Sequence, residues 1–237
     1  MSEQLITVGE ATQRLGVTSD LPSNKCLTKG EFDELVVQKL GLTPELAPNG
    51  VYIMHKDIKL FRIENWIYSN DNASGVAVKT DNYSFVIAKE NSVHIKWSAQ
   101  DVLINSCTTT TSESTAKKDY NGKQNTDAIV SQLGTSDTYA ARYCKEYTFP
   151  HGAQGYLPAL GEWIEVYKNK IEVDVYMSLI GGDALDNGLQ YNARLWCSTQ
   201  ENETSAWYID WRTCKVNSYY KSASYNTFYA RPFAAFQ

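Results

Sequence analysis

The chain has 237 residues, of which 22 are Lys or Arg and 27 are Asp or Glu, so its formal net charge is -5. A hydrophobic fraction of 43% and a charged fraction of 21% are ordinary for a globular protein, which excludes wholesale disorder. No apolar run approaches the roughly 20 residues of a membrane helix, and no dense basic cluster favours nucleic acid, so neither membrane insertion nor nucleic-acid binding is expected.

The first predicted elements lie in residues 1–49, which we interpret as an N-terminal helical arm. Thr28 and Glu31 have the spacing of a capping box, and apolar residues recur after them at helical intervals as far as Leu40. Gly41 suits the position after a helix, and two prolines indicate a linker over residues 42–50. Because so few apolar residues cannot form a core alone, we expect the arm to pack on the main domain or on a partner.

Residues 7–18 look like the first helix and turn of a helix-turn-helix DNA reader. A recognition helix should follow directly, but residues 19–24 contain Pro22 and almost no side chains that read bases. We therefore interpret this segment as a surface helix.

Residues 50–237 predict an α+β domain, because helices are grouped between two sets of strands instead of alternating with them. Short β-branched or aromatic runs predict strands at residues 50–54, 66–68, 75–78, 83–88 and 95–97, and residues 107–118 predict an exposed loop. Helices are predicted over residues 125–133, which Asn125-Thr126-Asp127 can cap, over 136–147, from Pro158 onward, and over 171–180. Strands are predicted again at residues 194–199, 206–211, 215–219 and 229–236.

The sequence offers no catalytic constellation, and we predict no catalytic residue, no metal and no cofactor. It contains no G-x-S-x-G motif and no phosphate-binding loop, and its five cysteines include no C-x-x-C pair. Glu162 and Glu165 could pair on a predicted helix, but a solvated face is the favoured interpretation. Cys197 and Cys214 lie on predicted strands that could be neighbours, which leaves a disulfide between them open.

The C-terminal region is rich in residues that suit a binding surface. Tyr, Ser, Asn and Thr supply 19 of the 39 residues from 191 to 229. Tyr gives stiff amphipathic contact area, and Ser and Asn give adaptable hydrogen bonds. A set of polar strands and turns facing solvent would have the same composition, so both interpretations stay open at this point.

Four segments of the C-terminal half occur in the order of a known family pattern. They are residues 156–163 (YLPALGEW), 195–200 (LWCSTQ), 206–211 (AWYIDW) and 229–236 (YARPFAAF). They resemble the C-type-lectin-like domains of bacterial surface proteins and of the variable proteins of diversity-generating retroelements. Residues 121–126 are similar to the segment that opens the first helix in these domains. The resemblance covers residues 50–237 and leaves out residues 1–49.

The resemblance implies helices packed on a twisted antiparallel sheet, with a ligand face near the C-terminal strands. Four residues are then structural: Pro158, Trp163, Trp196 and Arg231. Sugar-binding relatives hold calcium with Glu-Pro-Asn or Gln-Pro-Asp and Trp-Asn-Asp motifs, which this chain lacks, so calcium-dependent sugar binding is not expected. Formylglycine-generating enzymes share the fold, but Cys197 and Cys214 lack the sequence frame of their paired-cysteine site, so oxidase activity is not expected.

The resemblance also points to the residues that would contact a ligand. In retroelement-linked members, adenine-directed mutagenesis of Asn codons favours Tyr, Ser, Asn, Thr, Phe, Asp, Cys and Arg, and residues 191–228 have this composition. The predicted ligand-binding residues are Tyr191, Asn192, Asn202, Tyr208, Asp210, Arg212, Asn217, Tyr219, Tyr220, Ser222, Ser224, Asn226 and Phe228. We expect them to form an exposed patch of aromatic anchors with polar partners. Any Tyr-rich binding face would have the same residue composition.

The sequence begins without a recognisable secretory leader, which favours a phage virion protein over a bacterial surface protein. We expect a tail-associated receptor-binding protein, made in the host cytoplasm, that recognises a host cell-surface protein or glycan. Residues 1–49 would join it to other virion proteins, and a homo-oligomer is expected. The alternatives are a decoration protein that binds only virion proteins, a bacterial adhesin at the cell surface, and an enzyme on the formylglycine-generating-enzyme-like fold.

Overall fold

Strands, helices and strands again follow one another in the computed structural model, which describes residues 6–15, 22–186, 188, 193–223 and 228–236. The N-terminal part contains β1 (Ile6–Thr7), α1 (Val8–Leu15), β2 (Cys26–Leu27) and α2 (Lys29–Leu40). Four strands follow: β3 (Gly50–His55), β4 (Leu60–Phe61), β5 (Ala73–Lys79) and β6 (Ser84–Ile87). The helices are α3 (Glu113–Ala116), α4 (Gly122–Leu133), α5 (Ala140–Glu146), α6 (Leu160–Tyr167) and α7 (Lys170–Leu179). The last strands are β7 (Arg194–Gln200), β8 (Ser205–Asp210), β9 (Val216–Tyr220), β10 (Phe228–Tyr229) and β11 (Phe233–Ala235).

The α+β class is confirmed, and the strands after residue 49 form two sheets in the described part of the chain. The first has the order β11-β6-β5-β3-β4 with antiparallel pairs throughout. The second has the order β10-β7-β8-β9, in which β7, β8 and β9 are antiparallel but β10 runs parallel to β7. A single antiparallel sheet is therefore not what the chain forms.

The prediction of one strand over residues 229–236 is wrong, because this segment crosses from one sheet to the other. β10 pairs with β7, whereas β11 pairs with β6. Between them Arg231 is completely buried, and its guanidinium donates to the carbonyl oxygens of Ala88 at 2.8 Å and Asp183 at 2.7 Å. Pro232 follows and has no amide hydrogen for a ladder. The structural role expected of Arg231 is confirmed.

The largest apolar core lies between the two sheets and contains α6 and α7. Helix α6 packs against β7 and β8, and α7 packs against β3 and β5. Trp163 on α6 is fully buried there, in edge-to-face contact with Trp211 and Phe233. Val51 and Ile53 reach this core from β3, while Tyr52 and Met54 face a second cluster on the other side of the same sheet. The sequence of β3 therefore shows no alternation of apolar and polar residues, because an apolar cluster covers each face of the strand.

A third cluster covers the outer side of the β7–β8 sheet. Trp196 on β7 packs there with Ile95 and Trp97 and with residues of α5. The indole of Trp196 donates to the Ile95 carbonyl at 2.9 Å, and the indole of Trp97 donates to the Cys197 carbonyl at 2.8 Å. These two reciprocal bonds fix the loop before α3 onto the sheet. Residues 95–97, predicted as a strand, form no strand ladder: besides these side-chain bonds, the Ile95 amide donates to the Phe228 carbonyl of β10 at 3.1 Å.

One further strand prediction and one loop prediction are corrected. Residues 66–68 are not a strand: Trp66 and Tyr68 belong to an aromatic cluster with His55 and Phe61, and short 3-10 turns flank the segment. Residues 107–118 are only partly an exposed loop, because they contain α3 and a bridge from Thr109 to Gln200.

Helix α4 begins at Gly122, three residues before the predicted cap. A Cβ on Gly122 would lie 2.1 Å from a carboxylate oxygen of Glu162, so only glycine permits this approach. Asn125 and Thr126 are consequently buried inside the helix instead of capping it. Pro158 precedes α6 by two residues, and Ala159 occupies the cap position.

The capping box before α2 is confirmed: the Thr28 amide donates to Glu31 at 2.9 Å, and the Glu31 amide donates to the Thr28 hydroxyl at 3.3 Å. Gly41 has φ +71°, as a residue after a helix often does. Contrary to expectation, this part has a small core of its own, formed by Val8, Ala11, Leu27, Leu35 and the flanking Phe32. The segment predicted as a linker packs on the main domain, since Leu42 pairs with Leu60 and Ala47 is buried among main-domain residues.

The structure tests only part of the comparison of residues 7–18 with a helix-turn-helix motif. Residues 16–21 lie outside the described residues, and a turn at residues 23 and 24 leads into β2. The division of the chain at residue 49 stays a prediction.

Candidate functional site

The outer side of β7, β8 and β9 brings several predicted binding residues together. The register pairs Trp196 with Tyr208 and Tyr208 with Asn217, so these three side chains form a row across the sheet. Arg194 and Tyr219 lie on the same side by strand alternation. We call this surface, defined by Arg194, Tyr208, Asn217 and Tyr219, the Arg194 face.

Aromatic rings form the base of the Arg194 face. Phe228 stacks on Trp196 with centroids 4.2 Å apart, and it meets Tyr208 at 5.3 Å and Tyr219 at 5.4 Å. The guanidinium carbon of Arg194 lies 5.3 Å from the Tyr208 ring centroid, 5.1 Å from that of Phe228 and 5.7 Å from that of Tyr219. A planar cation held over several rings is a rigid arrangement that combines charge with apolar area.

A cavity of about 350 Å³ opens at one end of this face. Its lining includes three predicted residues, Tyr208, Asp210 and Asn217, together with Arg194, Glu113 and Lys215. Groups of both charges and amide donors and acceptors therefore surround the opening. Such a mixture suits a polar ligand or a protein surface better than a purely apolar molecule.

The expectation that all predicted residues are exposed is wrong for two of them. Tyr208 is only 8% exposed and Phe228 is 0% exposed, because both rings pack into the cluster around Trp196. Burial also raises the pKa of the Tyr208 phenol. These two rings therefore support the face from beneath, while Tyr219, which is half-buried, presents its ring at the surface.

The other predicted residues do not share one surface. Tyr220 is 63% exposed but follows Tyr219 on the strand, so it points to the opposite side of β9. Arg212 and Ser222 are exposed on the turns that flank β9. Tyr191, Asn192, Ser224 and Asn226 lie outside the described residues.

Two predicted residues hold turns. The Asn202 side-chain oxygen accepts bonds from the amides of Thr204 and Ser205, both at 2.9 Å. The Asp210 carboxylate accepts from the amides of Arg212 at 3.0 Å and Thr213 at 3.1 Å. These bonds stabilise the turns between β7 and β8 and between β8 and β9, as short polar side chains commonly do.

Arg194, Glu113 and Lys215 were not among the predicted residues. Arg194 could have been found, because it stands two positions before Trp196 on an alternating strand and so shares its side of the sheet. Glu113 could not, because only the folded chain brings α3 to this cavity.

A buried lysine anchors the end of β9, the edge strand of its sheet. Lys221 is completely buried and donates to the carbonyl of Val102 at 2.8 Å and to the side-chain oxygen of Gln200 at 2.9 Å. Its ammonium group lies 4.6 Å from the Trp97 ring centroid. Burial lowers the pKa of Lys221 to about 8. This anchor fixes β9 at its C-terminal end, where the aromatic residues of the strand lie.

Cys107, Cys197 and Cys214 are poorly suited to nucleophilic chemistry. Cys197 is fully buried and Cys214 lies in the β8–β9 turn, and both are free thiols. Burial raises the pKa of Cys107 to about 12 and the pKa of Cys197 well above its usual value, so these thiols stay protonated at neutral pH.

Within the described residues, no group of three or more His, Cys, Asp and Glu could hold a metal ion. No described helix is both long enough and apolar enough to cross a bilayer.

The prediction that Glu162 and Glu165 lie on a solvated helix face is wrong for Glu162, which is only 3% exposed. Its carboxylate accepts from the Ala159 amide at 2.7 Å and from the Tyr156 hydroxyl at 3.2 Å. Burial outweighs these bonds and raises the pKa of Glu162 from 4.5 to about 8. Glu165, by contrast, accepts from Tyr120 at 2.9 Å and pairs with Lys168 near the surface. The two carboxylates are therefore not an equivalent pair.

This burial predicts a pH dependence of stability. Because the pKa of Glu162 is higher in the folded chain, folding favours the protonated acid, and the free energy of unfolding should fall as pH rises from about 4.5 to about 8. Glu162→Gln keeps the shape and should flatten this part of the profile, measured by urea unfolding at several pH values. The exposed Glu172→Gln should keep the wild-type profile. An unchanged slope in Glu162→Gln would show that Glu162 takes up no proton on folding.

Comparisons with known proteins define the fold more than the function. No family model and no curated protein sequence matches the chain. Among solved structures, the chain is similar to a fimbrial protein from Bacteroides ovatus ATCC 8483, with a TM-score of 0.60 and 14% sequence identity. The similarity covers 80% of this chain and 49% of that protein, so this chain spans about half its length. At this identity the similarity concerns the fold alone.

Proposed function

We propose that residues 50–237 form a C-type-lectin-like binding domain without enzymatic activity, which recognises a host cell-surface protein or glycan through the Arg194 face. The observation that carries the proposal is the cation held over an aromatic cluster next to an open polar cavity. Tyr and Arg are the residues most enriched among the energetic centres of binding surfaces. The rings of Tyr208 and Phe228 beneath Arg194 are buried, so little entropy is lost in ordering them when a ligand docks.

The proposed setting is a phage tail. Residues 1–49 are the proposed attachment element, and their small separate core, with Val8 and Leu35, fits a unit that joins other virion proteins. The Tyr, Ser and Asn content around β9 fits the variable proteins of diversity-generating retroelements. A bacterial adhesin is the alternative, and the similarity in fold to a protein described as fimbrial is compatible with it.

The chemistry of the described residues supports a binding protein over an enzyme. Cys197 on β7, and Cys107, whose thiol donates to the Ser198 carbonyl of the same strand, are buried and protonated at neutral pH. The buried carboxyl group of Glu162 is held by backbone and tyrosine donors, as an internal anchor of α6 would be.

The test is binding of the purified, fluorescently labelled chain to a panel of gut bacterial strains, measured by flow cytometry. We expect Tyr219→Ala to weaken binding to a recognised strain about thirtyfold, because truncating a central aromatic anchor typically removes about 2 kcal/mol. Asn217→Ala, at the mouth of the same cavity, should weaken it to a smaller extent.

Ile171→Ala is the matched control, since Ile171 is 81% exposed on α7 and takes no part in the Arg194 face. It should bind like the wild type. Normal binding by both Tyr219→Ala and Asn217→Ala would refute the proposed face. A chain that binds no strain but assembles with tail or capsid proteins would support the decoration-protein alternative.

A further inference from the structure

A second cavity, of about 360 Å³, shares no lining residue with the Arg194 face. It lies where the turn before β6, the start of α4 and the end of β11 come together. Its volume falls within the range of roughly 300–1,000 Å³ that small-molecule sites occupy. Nothing in the function proposed above uses this cavity.

One wall of the cavity is a stack of three aromatic rings. Phe85 and Tyr83 are stacked with centroids 5.8 Å apart and planes 13° from parallel, and Tyr83 and Tyr120 are stacked at 4.1 Å and 6°. The Tyr120 hydroxyl donates to the Glu165 carboxylate at 2.9 Å, which fixes the outermost ring. The wall is therefore aromatic, and its rings are packed on one another before any ligand arrives.

Amide side chains surround the mouth. Asn82, Asn121 and Gln124 are exposed and line the cavity, and Lys123 lies among them. Each amide offers two N–H donors and a carbonyl acceptor, and Lys123 adds ammonium donors. Hydroxyl groups, which both donate and accept, match this rim.

The floor is formed by Tyr156 and Glu162, both buried. Because burial raises the pKa of Glu162 to about 8, its carboxyl group is mostly neutral at pH 7 and can donate as well as accept a hydrogen bond. Lys123 is then the one charged side chain in the lining. A phosphate or carboxylate site would require an arginine fork or several cations, which this lining lacks.

We propose that this second cavity binds a neutral saccharide unit, with the apolar face of a pyranose ring against the Tyr83–Tyr120 stack and its hydroxyl groups at Asn82, Asn121 and Gln124. The site is distinct from the Arg194 face, so it would give the chain a glycan contact that does not depend on the residues around β9. A substitution can therefore remove binding at one surface while binding at the other surface stays unchanged.

The experiment is a chemical-shift titration of the isotope-labelled full chain with the methyl pyranosides of glucose, galactose, mannose, xylose and N-acetylglucosamine. We expect at least one of them to shift the side-chain amide signals of Asn82, Asn121 and Gln124. Ala235→Trp should weaken that binding at least about tenfold, because Ala235 is exposed on β11 at the mouth and a larger side chain there occupies the cavity. Gln124→Ala removes a surface amide and should also weaken glycoside binding.

Two controls separate this site from the Arg194 face and from effects on folding. Ser131→Ala, exposed on the same helix as Gln124, should bind the glycoside like the wild type. Asn217→Ala on the Arg194 face should leave the glycoside-induced shifts of the Asn82, Asn121 and Gln124 side-chain amides unchanged. Melting curves of all variants should coincide with that of the wild type. The absence of binding by every glycoside in the panel would overturn the ligand class. Binding that both Ala235→Trp and Gln124→Ala leave unchanged would overturn the location.

Discussion

Trp163→Ala is expected to lower the free energy of unfolding by about 3–5 kcal/mol. The indole is fully buried between the two sheets, with its centroid 4.6 Å from that of Phe233 and 5.7 Å from that of Trp211. Its ring nitrogen also donates to the Trp196 carbonyl at 3.4 Å. Alanine leaves a cavity whose walls belong to both sheets and to α6, so no single element can move to fill it.

The measurements are thermal and denaturant unfolding followed by far-UV circular dichroism, a backbone signal that does not depend on the removed indole. In a chain of this size each 1 kcal/mol corresponds to about 2–4 °C in Tm, so the midpoint should fall by roughly 6–20 °C. Ile171→Ala on the surface of α7 is the control and should stay within about 0.5 kcal/mol of the wild type. A loss below about 1 kcal/mol for Trp163→Ala would mean that the core does not depend on this ring.

Asp119→Ala is expected to cost about 3 kcal/mol or more, because it removes the acceptor of two buried donors, Thr199 and Asn125, and of two others nearer the surface. The buried carboxylate of Asp119 accepts from the hydroxyls of Thr108 at 3.0 Å and Thr199 at 2.7 Å. It also accepts from the Asn121 amide at 3.0 Å and the Asn125 side chain at 2.9 Å. These partners come from the loop before α3, from α4 and from β7, so this one carboxylate joins three parts of the domain.

Thermal unfolding of Asp119→Ala and of Asp127→Ala provides the comparison. Asp127 lies on α4, is exposed and pairs with Lys145 at 2.6 Å, a surface contact worth at most about 1 kcal/mol. Asp119→Asn should fall between the two, because it keeps one acceptor oxygen. If Asp119→Ala lost no more stability than Asp127→Ala, the buried network would not hold these elements together.

Local structure could be predicted well where the determinants lie within a few residues. The Thr28–Glu31 capping box and the Gly41 end of α2 are short-range features, and the chain realises both. Strands β3, β7 and β8 were also predicted close to their bounds, since runs of β-branched and aromatic residues favour extended backbone wherever they pack.

The candidate site was predicted less well, because burial depends on partners distant in sequence. Tyr208 and Phe228 have the composition of a binding surface, yet Trp196 and the loop at Ile95 cover them. Glu162 has the spacing of a solvated helix residue, yet Gly122 and Tyr156 enclose it.

The order of residue patterns along the chain determined the α+β class and the absence of common catalytic motifs, and composition determined that the C-terminal region is rich in Tyr and Asn. Only the tertiary structure decided that β10 and β11 belong to different sheets, and that Arg194 lies over the rings of Tyr208 and Tyr219. The physical reason is that sheet partners and side-chain burial are set by contacts between distant segments, such as Phe228 with Arg194. Hydrophobic periodicity and capping report only the backbone nearby.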